Sequence, residues 1–133
     1  MTRIWPQLSV RRGREAIDWY VEAFGAVVDY RVGGDDEMEE IVAQLSVGDA
    51  VFWISDESQE FENFSPESLG GSTTRMALVV DDPAAVAARA VAAGAREVWP
   101  VAEAYGWLIG RVEDPFGHHW EVGKPLGPWP PTS

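Results

Sequence analysis

Asp114-Pro115-Phe116-Gly117-His118-His119-Trp120-Glu121-Val122 reads as a turn that feeds a short strand. Asp-Pro and a following glycine punctuate the chain. Beyond them, alternation sets His118, Trp120 and Val122 on one face of the strand, and His119 and Glu121 on the other. The first face suits a core. The second carries a carboxylate outward from it. Adjacent strand residues face opposite sides, so His118 and His119 cannot hold one ion together.

Working outward, strands are expected at Arg96 to Val101, Trp107 to Val112 and His118 to Val122. Before them, Asp82 caps and Pro83 opens an alanine-rich helix to Ala93, stopped by Gly94. Thr74 to Val80 is the strand that leads into that helix. The same order occurs earlier in the chain. Ile4 to Val10 is a strand with Ile4, Leu8 and Val10 on its apolar side and Trp5, Gln7 and Ser9 on the other. Arg14 to Phe24 is a helix with Ile17, Tyr20, Val21 and Phe24 at helical spacing. Strands follow at Val27 to Val32, Ile41 to Val47 and Ala50 to Ile54. Phe24-Gly25-Ala26 and Ala93-Gly94-Ala95 mark the same place in the two halves.

The fold class is therefore α+β: two tandem βαβββ modules whose curved mixed sheets form a concave trough with the helices outside. One domain is expected over about 1–124, with module one at about 4–55, a polar linker at about 56–72 and module two at about 73–123. A Pro-rich tail over 125–133 is expected to pack loosely or stay extended.

Composition narrows the function classes. A chain of 133 residues, 46% of them hydrophobic, has enough apolar material for one core. No run approaches the roughly 20 apolar residues that span a bilayer, and Met1 to Pro6 lacks an apolar signal core, so a cytoplasmic protein without a membrane partner is expected. There is no cysteine, hence no disulfide, thiolate ligand or thiol nucleophile. A formal net charge of -12 argues against nucleic acid as a partner. The acidic run Asp35, Asp36, Glu37, Glu39 and Glu40, and the residues Asp56, Glu57, Glu60 and Glu62, are expected to be solvated loops that would also attract a cationic ligand.

The two βαβββ units, the stretch from Ala16-Ile17-Asp18-Trp19-Tyr20 to Phe24-Gly25-Ala26, and Asp114-Pro115-Phe116-Gly117 leading to Glu121 resemble the vicinal-oxygen-chelate superfamily. That superfamily includes glyoxalase I, extradiol dioxygenases, fosfomycin-resistance enzymes and bleomycin-resistance proteins. Tyr105-Gly106-Trp107 together with Asp114 to Val122 is particularly similar to the glyoxalase-like group that includes PhnB. The resemblance covers about Ile4 to Lys124. It implies metal-ligand positions on the first and last strand of each module, which here are Trp5, Trp53, Arg75 and Glu121. Indole and guanidinium offer no lone pair to a metal, so no metal and no other cofactor is expected.

The ligand-binding residues expected in the trough are Trp5, Gln7, Trp53, Arg75, Trp107, His119 and Glu121. Trp5 and Trp53 either sandwich a flat aromatic or cationic ligand or pack on each other. Arg75 and Glu121 either form an ion pair in place of the metal or act as an anion clamp with Glu121 orienting it. The expected function is metal-independent binding of a small aromatic or cationic compound such as an antibiotic. The alternative is a glyoxalase-like or dioxygenase-like enzyme of the superfamily, a lyase or isomerase, that uses Glu121 as its catalytic residue. Relatives commonly dimerise, so a homodimer is the implied assembly.

Overall fold

A computed structural model describes residues 1–36 and 40–132. Glu37 and Glu39 of the acidic run, and Ser133 of the tail, lie outside the described residues. The chain runs β1 (Gln7–Val10), α1 (Gly13–Phe24), β2 (Val27–Gly33), β3 (Ile41–Val47), β4 (Ala50–Asp56), α2 (Pro66–Leu69), β5 (Arg75–Val79), α3 (Pro83–Ala92), β6 (Arg96–Ala104), β7 (Trp107–Glu113) and β8 (His119–Pro125). Two four-stranded mixed sheets have the same topology, β1-β4-β3-β2 and β5-β8-β7-β6. In each, the strand before the helix pairs in parallel with the last strand of its module. The two modules and the α+β class are thus as the sequence indicates. No helix among the described residues is long and apolar enough to cross a membrane.

One face of each sheet is buried. Leu8, Val10, Ala43, Leu45, Phe52 and Ile54 turn inward from the first sheet, and Met76, Leu78, Val112, Trp120 and Val122 from the second. α1 packs on β1, β3 and β4, α3 packs on β6, β7 and β8, and the two helices touch. The Trp120 ring lies 5.3 Å from Phe52, 5.6 Å from Tyr20 and 5.0 Å from Phe24, so the cores of the modules merge. Burying aromatics of this size contributes on the order of 2–3 kcal/mol each.

The Asp114 turn ties this core together. Its carboxylate Oδ1 accepts from the backbone N–H groups of Phe116 and His118, both at 2.9 Å. Oδ2 accepts from the Trp120 indole at 2.9 Å and from the Tyr20 hydroxyl. Four donors satisfy a carboxylate that is only 3% exposed. Burial first, then the Asp114 charge, pushes the Tyr20 hydroxyl well above its ordinary pKa. Gly117 sits at φ 91°, and a Cβ there would come within 2.7 Å of Pro66, so both backbone angle and space require glycine.

Several sequence expectations are corrected. The first strand begins at Gln7, because Pro6 has no N–H to give; only its carbonyl accepts, from Trp53 N at 2.8 Å. Ile4 is 92% exposed and not in the core. On α1, Val21 points outward, whereas Ala16, Trp19 and Ala23 are buried with Ile17, Tyr20 and Phe24. Trp19 also donates its indole N–H to Ala93 O at 2.9 Å. Asp56 is no solvated linker residue: it ends β4 and accepts from the backbone N–H groups of Gly13 and Ile41 at 2.8 Å each. The linker contains α2, capped by the Ser65 hydroxyl, while Glu57 accepts from Ser65 N at 3.0 Å and Ser68 Oγ at 2.8 Å. β8 runs on to Pro125. The tail is also anchored, by Leu126 N donating to Gly106 O at 2.8 Å and by the Trp129 ring 5.1 Å from that of Trp107.

Candidate functional site

The face of each sheet turned away from the helices is open. On the first sheet, alternation leaves Gln7, Gln44, Trp53 and Tyr30 in neighbouring register positions. Trp5 stands just before β1, with its ring 6.4 Å from Trp53 and the planes inclined at 42°. Tyr30 meets Trp53 edge-on at 6.1 Å. The indoles therefore pack on each other as they stand. A parallel sandwich is not preformed, and a ligand would stack on an outer ring face.

On the second sheet, Arg75, His119, Glu121, Arg111 and Trp107 share the open face. Glu121 Oε1 accepts from Arg75 Nε at 2.6 Å and from Arg111 Nη2 at 2.7 Å. The Arg75–Glu121 ion pair is thus present, but the Arg75 side chain is 57% exposed against 23% for Glu121, so it is a half-open contact and not a buried plug. Arg111 lies directly opposite Glu121 in the β7–β8 register, and its guanidinium carbon sits 5.8 Å from the centroid of the Trp99 ring. His119 Nε2 is 3.2 Å from Glu113, whose other oxygen takes Arg96 Nε at 3.1 Å. Arg111 Nε and His119 Nδ1 are buried without a hydrogen-bond partner among the described residues.

Burial pushes the Glu121 carboxyl up, but hydrogen bonds from Arg111 and Arg75, and their charges, outweigh it and hold the group below its ordinary value. Glu121 is therefore a poor proton acceptor and a good anchor for two cations.

The expected ligand residues do not converge on one cavity. Trp5 borders a cavity of about 670 Å³ with Asp49, Phe52, Met76 and Ala77. Trp107 and Glu121 line another of about 770 Å³, walled by Trp99, Pro100, Ala102 and Ile109. Gln7 borders a smaller one of about 280 Å³ beside Phe64 and His118. Ala77 of β5 contributes to the first two. Sequence reasoning missed Trp99, Arg96 and Glu113 in the second face. Nor did it set Arg111 against Glu121. Counting back through the turn from the Glu113–His119 pair would have found it.

A glyoxalase-like domain model matches residues 7–123. The chain belongs to the glyoxalase-like domain family. An uncharacterised protein of Mycobacterium bovis is 38% identical over 125 residues, which is 91% of this chain and 82% of that one. Among solved structures, TioX of a Micromonospora species superposes with TM-score 0.71 at 24% identity over 95% of this chain and 100% of that one. FosX of Listeria monocytogenes, a fosfomycin resistance protein solved with Mn(II) and sulfate, gives 0.69 at 12% identity over 96% and 93%. These neighbours share the fold of the glyoxalase-like chain, which with the domain match agrees with the resemblance to the vicinal-oxygen-chelate superfamily.

That superfamily implies a metal, and the residues here do not fit one. Of Trp5, Trp53, Arg75 and Glu121, only Glu121 has donor oxygens, and one of these is taken by two guanidinium groups. Among the described residues no three His, Asp or Glu side chains are grouped to hold an ion.

Proposed function

We propose that this protein binds a small aromatic molecule without a metal, sequestering a compound of the kind an antibiotic presents. The observation that supports this is the cavity of about 770 Å³ on the second sheet. It is walled by indole and aliphatic side chains, and the Arg75–Glu121–Arg111 cluster beside it holds two of the four positions at which the resemblance implies metal ligands. Concave apolar sites with a few placed polar groups are the usual form of small-molecule sites. A cationic ligand would be drawn by the acidic surface, and Trp5 and Trp53 offer it π faces, although the arginine pair opposes it in the second groove.

The test is a fluorescence titration of candidate aromatic compounds against the parent and Trp107→Ala, with metal content measured by elemental mass spectrometry. Metal below about a tenth of an equivalent per chain and an affinity lowered about tenfold by Trp107→Ala are expected. Stoichiometric metal, or binding indifferent to Trp107→Ala, would sink the proposal. The competing enzyme reading, with Glu121 as base, is opposed by the depressed pKa of that carboxyl. It requires Glu121→Gln to abolish a turnover while leaving the fold intact.

A homodimer is part of the proposal. Val27, Tyr30, Val32 and Val42 on the first sheet are 40–59% exposed, an apolar strip that a second copy would cover.

A further inference from the structure

The open face of the second sheet carries Arg75, Arg96 and Arg111 against Glu113 and Glu121. Among these guanidinium and carboxylate groups three positive charges face two negative ones, in a chain whose net charge is -12. We propose that Arg75 and Arg111 form an oxyanion clamp in place of the superfamily's metal, and that the groove holds an aromatic monocarboxylate. This rests on the groove being the ligand site.

Three observations carry it. Arg111 is pinned on two sides, by Glu121 Oε1 at 2.7 Å and by the Trp99 ring at 5.8 Å, so its planar fork is fixed before any ligand arrives. Its Nε is buried without an acceptor among the described residues, which leaves the N–H groups of its amino nitrogens as the ones that would meet a ligand oxygen. Arg75 reaches the same glutamate oxygen through Nε, and a guanidinium carries further N–H groups on its two amino nitrogens.

The cavity supplies the rest. Glu121 lines it beside an apolar wall of Trp99, Trp107 and Ile109, and the two guanidinium groups connect to it through their bonds to Glu121. A ring packed on that wall would direct a carboxylate toward the arginines. One surplus charge matches a monoanion. A ligand ammonium in the same place would meet two cations, and a neutral amide would forfeit the charge-assisted bonds.

Calorimetric titration of the parent with 2-naphthoate, 2-naphthamide and 2-naphthylmethylammonium compares three ligands of one shape. Naphthoate is expected to bind at least about tenfold more tightly than the amide, with the ammonium the weakest. Naphthoate affinity should be indifferent to EDTA. Arg75→Gln and Arg111→Gln should each reduce the preference for carboxylate over amide by about tenfold, weakening naphthoate more than the amide, and keep the parent's circular dichroism. Equal binding of naphthoate and amide overturns the clamp, as does a preference that survives both substitutions or disappears with EDTA. If the amide binds in a manner sensitive to Trp107→Ala but naphthoate holds no advantage, the groove stands and the clamp alone is wrong. If none of the three binds, both are.

Discussion

The two modules share topology and pairing register, yet their open faces have opposite character. Gln7 lies opposite Trp53 in the first sheet and Ala77 opposite Glu121 in the second. Around Trp53 are Trp5, Tyr30 and Gln44, an uncharged aromatic surface. Around Glu121 are two arginines, with a histidine on Glu113 beside them. The helix-side faces differ far less, both being aliphatic and aromatic. Packing dictates the buried face, because a core residue must match its neighbours in volume. The open face lies outside that constraint, and there the two modules differ.

The turns into the last strand give the sharpest contrast. Asp114→Ala would strand the Tyr20 hydroxyl, the Trp120 indole and two backbone N–H groups in the core, and should cost about 3–5 kcal/mol. Asp49, at the exposed hairpin of module one, should cost less than about 0.5 kcal/mol on the same change. Urea unfolding of both variants checks this, and similar losses would break the contrast.

Helix entry differs too. α1 is capped from a distance by Asp56, and a Cβ on Gly13 would meet Ile41 Cγ2 at 2.4 Å. α3 is capped locally by Asp82, whose Oδ1 accepts from Ala85 N at 3.2 Å. Gly13→Ala should therefore cost about 1–3 kcal/mol through overpacking, and Asp82→Ala about 1 kcal/mol through the lost cap. Reversal of that order in thermal unfolding would show that the first helix entry adjusts.

The smallest effect is the pH dependence of Glu121. Its folded pKa lies below an ordinary value of 4.5, so the group stabilises the fold above that pH, and the contribution is lost as pH falls through the depressed value. The stability gap between the parent and Glu121→Gln should be less than about 1 kcal/mol at neutral pH, given the exposure of Arg75. It should close on acidification, and a gap that widens in acid would contradict the assignment.

Much of the architecture was legible because it is written locally. Asp82-Pro83, Phe24-Gly25 and Asp114 to Gly117 are punctuation with a direct backbone cause, and the alternation in β3 and β8 matches their burial. Ile4 misled because an apolar residue in step with Leu8 and Val10 looks like a strand start whether or not anything covers it. Asp56 was misread because its partners, Gly13 and Ile41, are 43 and 15 positions away. Within the site, Arg75 and Glu121 were placed by the ligand positions that the superfamily resemblance implies. Trp99 was hidden by the two irregularities in β6 that break its alternation.

The bond from Tyr20 to Asp114 joins residues 94 positions apart. When the chain is made from its N-terminus, the first helix and sheet are complete long before that carboxylate and the Trp120 ring exist. Until then Tyr20, Phe24 and Phe52 lack the surface that covers them. The first module on its own should thus behave as a sticky, incompletely condensed intermediate, and the last fifth of the chain should decide when folding becomes cooperative.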